Sequence, residues 1–145
     1  VRGTLHGTPP WMDLGAERCL QEFVRTAAEG NLLQSALSLT SGGLGRGLLE
    51  ACGVDEPEGR LLGLVAEADE ALRPEAWLFA ESPSRFLVSV ASDDLALLRE
   101  RAERLDVPLH FLGEIGGDRF EIRGQFGLAL ESLRRSWHGS RVRSD

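Results

Sequence analysis

Two short polar loops carry the residue types best suited to hold a ligand. The first, Thr40-Ser41-Gly42-Gly43, joins a predicted strand to the start of a predicted helix. Free backbone N–H groups and the helix dipole at such a start favour a phosphate. The glycine spacing matches neither a P-loop nor the GxGxxG order of a dinucleotide fold. Two interpretations therefore stand, a nucleotide or phosphate contact and, favoured on sequence, a tight connection that needs the glycines only for its turn.

The second loop combines an acid, two hydroxyls and a guanidinium within five positions, as Glu81, Ser82, Ser84 and Arg85. It precedes a predicted strand. Such a group can contact a polar ligand or an adjoining domain. The simpler interpretation is a capped loop with one surface ion pair, which contributes little to stability.

No metal site or catalytic residue is predicted within the chain. The histidines, His6, His110 and His138, lack a second His, Cys or carboxylate at metal-ligand spacing. Cys19 and Cys52 fall on the apolar stripes of two predicted helices, and free cysteines are among the most often buried residues. No serine lies in a nucleophile-elbow pattern.

These loops must be positioned by alternating helices and strands. Asp13 is predicted to cap a first helix that ends at Gly30-Asn31. The further predicted elements are a strand over 33–39, a helix over 44–52, a strand over 61–65, a short helix over 73–81, a strand over 85–90, a helix capped by Ser92, a hairpin of 109–115 and 120–122 turned by Gly116-Gly117, and a last helix over 125–137.

The order of these elements is close to β-α-β-β-α-β, a partly ferredoxin-like topology in which two helices lie on one face of a mixed sheet. The sequence therefore predicts an α+β fold with helices packed on a mixed sheet.

Length and charge narrow the class of protein. The 145 residues suit a single compact domain. The 23 acidic residues outnumber the 16 basic ones, for a net charge of −7, which argues against nucleic-acid binding. No apolar run is long enough to predict a membrane span, and no secretory signal precedes the two cysteines, so a reduced cytoplasmic setting is expected.

The end of the chain is basic, with Arg134, Arg135, Arg141 and Arg143. These arginines are suited to an acidic partner surface. A solvated terminus is the simpler interpretation.

Four motifs and an ending, in register over nearly the whole chain, resemble the C-terminal domain of phosphoribosylformylglycinamidine synthase. They are Gly7-Thr8-Pro9-Pro10 with Asp13-Leu14 and Glu17, SALSLTSGGL over 35–44, FAESPSRFLVSV over 79–90, LGEIGGDRFEI over 112–122, and the ending Trp137-His138-Gly139.

The resemblance implies a ligase of purine biosynthesis that uses ATP and Mg²⁺ to transfer ammonia onto formylglycinamide ribonucleotide. The ammonia comes from a glutamine amidotransferase subunit or domain. Residues 1–12 would lead from a preceding domain, and 13–145 would form one αβ domain of the aminoimidazole ribonucleotide synthetase (PurM) C-terminal type, the last of four. The family's catalytic histidines and most metal and ATP contacts lie in the earlier domains, so the chain alone is expected to be inactive and to hold no cofactor.

The departures from the family pattern support an architectural role. Where the family has His, Asp, Ser and Asp before the Gly-Gly pair, this chain has Leu37, Ser38, Thr40 and Ser41. The loss of all three ionisable groups removes any acid-base or metal-ligand role of that stretch. Pro83 replaces a common Gln and offers no side-chain donor or acceptor.

Two alternatives remain open. One is a non-catalytic association module, including a homo-oligomer, that uses an exposed apolar sheet face. The other is the same domain type in a hydrogenase-maturation or selenophosphate-synthesis protein. The Glu-Ser-x-Ser-Arg run from Glu81 and the Gly-Gly-Asp-Arg run from Gly116 favour the purine enzyme.

Overall fold

The structure, a computed structural model, describes residues 11–139. Residues 1–10 and 140–145, which include His6, the Gly7 to Pro10 motif, Arg141 and Arg143, lie outside the described part. The elements in chain order are α1 (Leu14–Glu29), β1 (Ser35–Ser38), α2 (Gly43–Ala51), β2 (Leu64–Glu67), α3 (Pro74–Phe79), β3 (Phe86–Ser89), a 3₁₀ turn (Ser92–Asp94), α4 (Leu95–Arg104), β4 (Gly113–Ile115), β5 (Arg119–Arg123), β6 (Phe126–Ala129) and α5 (Leu130–Gly139).

The start of α1 is fixed by Asp13, as the sequence predicts. The Asp13 Oδ1 atom accepts hydrogen bonds from the N–H groups of Gly15 at 2.8 Å and Ala16 at 3.1 Å. An N-cap acid satisfies donors of the first turn that have no partner within the helix. The predicted α1 is therefore confirmed, with Phe23 and Ala27 buried on its inner face.

The described strands form two sheets. β1 and β3 pair antiparallel, with Ser38 opposite Phe86. The other four strands form a mixed sheet in the order β4-β2-β5-β6, in which β2 runs parallel to β5 and antiparallel to β4. The predicted α+β fold with a mixed sheet is confirmed. A ferredoxin-like topology would also place β2 beside β3 in one sheet, whereas β2 lies between β4 and β5.

The predicted hairpin around Gly116-Gly117 is wrong, because β2 lies between its two strands. Just before β2, the Gly63 N–H donates to the Gly117 carbonyl at 3.1 Å and the Gly63 carbonyl accepts from Gly116 at 2.8 Å. A Cβ at Gly63 would collide with the Gly116 carbonyl oxygen, so only glycine fits there. Among the described strands, the hairpin is formed by β5 and β6, which turn at Gly124-Gln125.

Two predicted helix starts are also wrong. The last helix begins at Leu130 rather than Gln125, because residues 126–129 pair with β5 as β6. Ser92 begins the 3₁₀ turn and makes no capping bond to α4, whose N-cap is Asp94. The apolar residues at 126–129 fit either a strand or the first turn of a helix. Backbone pairing with β5 makes them a strand.

Two buried clusters flank the β1–β3 pair. The first lies among α2, α3, the four-stranded sheet and α5, and the second lies between α1 and α4. Side chains on a strand alternate between faces, so Leu87 packs against the first cluster and Val88 against the second. Cys52 is buried in the first cluster as predicted, whereas Cys19 is only half-buried against the second.

No helix within residues 11–139 is both long enough and apolar enough to span a bilayer.

Candidate functional site

The two candidate loops lie in contact. Loop 40–43 follows β1 and loop 80–85 precedes β3, so antiparallel pairing brings them to the same end of the β1–β3 pair. The Oε1 atom of Glu81 accepts a hydrogen bond from the Gly42 N–H at 2.8 Å. The Leu39 N–H donates to the Arg85 carbonyl at 2.9 Å. We call loops 40–43 and 80–85 together the two-loop unit. The sequence did not predict that these two loops are in contact.

The glycine pair is required by backbone geometry. Gly42 and Gly43 have φ values of +84° and +60°, a region that favours glycine. A Cβ at Gly43 would lie 2.7 Å from the Ala80 carbonyl oxygen and 2.9 Å from that of Leu78. Close approach of α2 to the end of α3 therefore needs a residue without a side chain at position 43.

The carboxylate of Glu81 stands at the N-terminus of α2, where a phosphate would bind. The N-cap residue Gly42 has no side chain to cap the helix. Glu81 supplies the missing acceptor from another element, and the helix dipole favours its negative charge there. The Gly42 N–H that a phosphate would use is already donated to this carboxylate. This geometry favours the tight connection over an open phosphate site.

Arg85 closes the second loop without an ion pair. Its Nη2 donates to the Ala80 carbonyl at 2.7 Å, and Ser84 in between has φ of +60°. The ion pairs found within residues 11–139 include neither Glu81 nor Arg85. The surface ion pair expected from the sequence is thus replaced, for Arg85, by a bond to the backbone.

The side chain of Ser84 also influences the titration of Glu17 in α1. The Ser84 hydroxyl, and then the Gln21 amide, which donates to Glu17 Oε1 at 2.6 Å, lower the pKa of the Glu17 carboxyl. Sequence reasoning placed Glu17 in a motif but assigned it no contact. Its partner is 67 positions away, so no local pattern identifies it.

A hollow of about 90 Å³ lies beside loop 40–43. It is lined by Leu37, Ser38, Leu39, Thr40, Ser41, Gly43, Arg46, Gly47 and Glu50. The only carboxylate of this lining, Glu50, already accepts from Arg46 Nε at 2.6 Å. Hydroxyls around one committed carboxylate do not fit a divalent cation. Residues 11–139 hold no group of three or more His, Cys, Asp or Glu side chains that could bind a metal ion.

A larger apolar groove, of about 330 Å³, opens between α2 and α5. Its lining residues are Gly42, Gly45, Arg46, Leu49, Leu78, Phe79, Phe120, Phe126, Leu128, Leu133 and Trp137. The guanidinium of Arg46 lies over the Trp137 ring, 5.7 Å from its centroid. The sequence did not predict this groove, because the strand β6, which forms part of its floor, was itself not predicted.

Comparisons of the sequence and of the fold with known proteins agree with each other. No family model matches the chain. Phosphoribosylformylglycinamidine synthase subunit PurL of Anaeromyxobacter dehalogenans is 37% identical over 136 residues, which are 90% of this chain and 18% of that protein. The same subunit from a Nocardioides species is 37% identical over 144 residues, or 94% of this chain and 17% of that protein.

Solved structures agree on the fold. Thermotoga maritima PurL complexed with FGAR matches 91% of this chain and 23% of its own, with a TM-score of 0.72 and 19% identity. The enzyme's structure at 2.15 Å matches 86% of this chain and 22% of its own, with a TM-score of 0.70 and 20% identity. This chain is a homologue of one domain-sized segment, about a fifth of the length, of the phosphoribosylformylglycinamidine synthase subunit PurL.

Proposed function

We propose that the chain is one αβ domain of a phosphoribosylformylglycinamidine synthase. The whole enzyme would convert formylglycinamide ribonucleotide to formylglycinamidine ribonucleotide with ATP, as a ligase of purine biosynthesis. The observation that carries the proposal is the 37% identity to a PurL subunit over 90% of the chain. These relatives carry the PurL name, which favours the purine enzyme over a hydrogenase-maturation or selenophosphate-synthesis protein.

Within that enzyme the domain is architectural and inactive alone. The two-loop unit presents hydroxyls and an acid already bonded to Gly42. Burial raises the pKa of the Cys52 thiol to about 11, which keeps it protonated and unreactive near neutral pH. ATP, which a T. maritima PurL structure contains, and Mg²⁺ would be held by the enzyme's other domains.

The proposed place of the chain is the last of four domains, in the cytoplasm. Residues 1–12 would lead from the preceding domain, and 13–145 would form the αβ domain of PurM C-terminal type. The small share of each relative that is matched supports this division. The antiparallel β1–β3 pair agrees with part of a ferredoxin-like topology.

The partner subunit would be a glutamine amidotransferase that supplies ammonia. The PurLQS assembly of T. maritima, whose structure matches this chain with a TM-score of 0.68, supports the involvement of further subunits. The enzyme's preceding domains would be the other partners.

For the site, we propose that Glu81, Ser82, Ser84 and Arg85 brace the glycine loop and border an adjoining domain. The phosphate alternative for Thr40, Ser41, Gly42 and Gly43 would require Glu81 to release Gly42. The melting temperature, measured at increasing concentrations of ADP, distinguishes the tight connection from the phosphate contact. Tight connection predicts no ADP-dependent shift in the wild-type chain, and a saturable shift that Glu81→Ala enlarges would establish the phosphate contact.

Ligase activity tests the proposed function. The 145-residue chain should release no ADP from ATP when supplied with formylglycinamide ribonucleotide, ammonia and Mg²⁺. The polypeptide that carries this sequence with the rest of a PurL subunit should be active and should lose activity when 13–145 are deleted. Turnover by the chain alone, or full activity after the deletion, would contradict the proposal.

A second candidate function is the association module, which the exposed Phe79, Phe126 and Leu128 favour. A homo-oligomer built through this face would show a sedimentation coefficient that rises with concentration. A monomer at high concentration would exclude it.

A further inference from the structure

We infer that the apolar groove between α2 and α5 is the docking face for an uncharged, apolar segment from another domain of the longer polypeptide. The inference rests on the proposed function, because it requires that such domains exist. It goes further by stating which surface they cover and what chemistry they bring.

The groove is built to receive large side chains. Its floor is the face of β5 and β6 that carries Phe120, Phe126 and Leu128. Gly42 and Gly45 on the α2 side have no side chains to fill the space. The resulting volume is about 330 Å³, and Phe79 of the lining is exposed to solvent.

Three of the exposed large apolar residues in the described part of the chain share this groove. Phe79 is 60% exposed, Leu128 42% and Phe126 39%, and all three line the groove. Exposed apolar side chains grouped in one groove, rather than scattered singly over a surface, are typical of interaction sites. The groove is therefore expected to be covered in the working protein.

The charge of the groove indicates the kind of occupant. Arg46 is the one charged lining residue, and it is committed to Glu50 at 2.6 Å and to the Trp137 ring. A small-molecule site needs a few polar groups to orient its ligand, and a diffusing partner is usually selected by charge. The lining offers neither orienting polar side chains nor a free charge, so the occupant is an apolar segment that binds through the fit of its shape to the groove.

A covalent connection can bring the occupant to the groove without any attraction between charges. A segment of the same polypeptide reaches the groove at a high effective concentration without steering. The chain covers 18% of a PurL relative, so most of such a protein lies outside the matched segment and can provide the occupant. A second copy of this chain fits less well, since a two-fold contact would bring one concave face against another.

Cysteine labelling tests the assignment with two matched positions. In a Cys19→Ser background, Leu128→Cys places a thiol in the groove, and Leu97→Cys places one on α4 outside it. Leu128 and Leu97 are 42% and 39% exposed, so their intrinsic access is alike. Native Cys52 is buried and stays unlabelled. A maleimide is applied to the 145-residue chain and to the longer PurL polypeptide, and the labelled peptides are quantified by mass spectrometry.

The expected result is that labelling at 128 slows at least about tenfold in the longer polypeptide, whereas labelling at 97 changes less than about twofold. Equal labelling at 128 in both forms would overturn the inference, and so would equal protection at both positions. Protection at 128 that grows with the concentration of the isolated chain would assign the groove to a second copy instead.

A stability readout keeps the test independent of labelling. Because Leu128 and Leu97 are about equally exposed, Leu128→Asp should lower the melting temperature of the isolated chain about as much as Leu97→Asp does. In the longer polypeptide Leu128→Asp should make the domain sensitive to limited proteolysis, and unchanged resistance would contradict the docking. An active enzyme with a reactive position 128 would refute the docking alone. Protection at 128 in a polypeptide without ligase activity would refute the proposed function alone.

Discussion

The side chain of Glu81 caps a helix that lies 39 positions earlier in the sequence, through a 2.8 Å hydrogen bond from the Gly42 N–H to its Oε1 atom. The bond joins the loop after β1 to the loop before β3. A helix that begins with two glycines has no cap of its own, so an acid from another element takes that position. The same contact stabilises the two-loop unit and occupies the Gly42 N–H, a donor that a phosphate would use.

Glu81→Ala should therefore destabilise the chain. The variant leaves the Gly42 N–H without its carboxylate and removes a favourable charge from the helix N-terminus. We expect the free energy of unfolding in urea to fall by about 1 kcal/mol. Glu81→Gln keeps an acceptor but loses the charge, so its loss should be smaller. Equal stability of the alanine variant and the wild type would show that the bond contributes nothing.

Gly43→Ala should lower the free energy of unfolding more than Glu81→Ala does. The residue has φ of +60°, and its Cβ would lie within 3 Å of the carbonyl oxygens of Ala80 and Leu78, which are backbone atoms that cannot rotate away. We expect a loss of about 2–3 kcal/mol in the free energy of unfolding.

The control for this substitution is Gly139→Ala, whose Cβ would meet no atom within 4 Å. It should change stability by less than about 0.5 kcal/mol. If both alanine variants unfold at the same urea concentration, close packing at Gly43 does not explain the glycine.

What the sequence predicted depends on how local each signal was. The Asp13 cap and the apolar stripe of α1 lie within one helix, and the predicted bounds were confirmed. Alternation at 109–115 and 120–122 correctly indicated two strands, which the structure places at 113–115 and 119–123. A strand's pattern states which face is buried and not which strand is its partner. For that reason the hairpin was assigned across Gly116-Gly117 although β2 lies between the two strands.

The candidate site divides in the same way. Both loops were identified from their own residues, whereas the Glu81–Gly42 and Ser84–Glu17 contacts depend on how distant segments pack. The apolar groove takes residues from α2, α3, β5, β6 and α5, so no single periodic pattern contains it.

The Ser84–Glu17 contact predicts a change in titration. Because Ser84 is the first cause of the lowered Glu17 pKa, Ser84→Ala should raise that pKa toward its ordinary value of 4.5. A carboxyl with a lowered folded pKa stabilises the fold above its ordinary pKa, and this contribution is lost as the pH falls. NMR titration of the Glu17 carboxyl measures the shift directly.

Ser84→Gly separates the hydroxyl from the backbone strain. It removes the same hydroxyl but suits φ of +60°, so it should raise the Glu17 pKa as much as Ser84→Ala while being more stable than that variant. An unchanged Glu17 pKa in both variants would mean that Ser84 has no part in the shift.

The buried thiol of Cys52 predicts how stability depends on alkaline pH. Burial raises the pKa of this thiol from 9.0 to about 11. Between these two values the unfolded chain has released the thiol proton and the folded chain retains it, so folding becomes less favourable as the pH rises. By linkage, the loss amounts to at most about 2–3 kcal/mol on passing from pH 9 to 11.

Urea unfolding at a series of pH values tests this against Cys52→Ala. The alanine variant should be less stable than the wild type at neutral pH, because it leaves a small cavity in the first buried cluster. Its stability should nevertheless fall less steeply above pH 9, since the titrating group is gone. The difference between the two slopes isolates the Cys52 thiol from every group that is present in both proteins. Parallel curves for the two proteins would show that Cys52 titrates alike in the folded and unfolded chains, so burial would not be what keeps this thiol protonated.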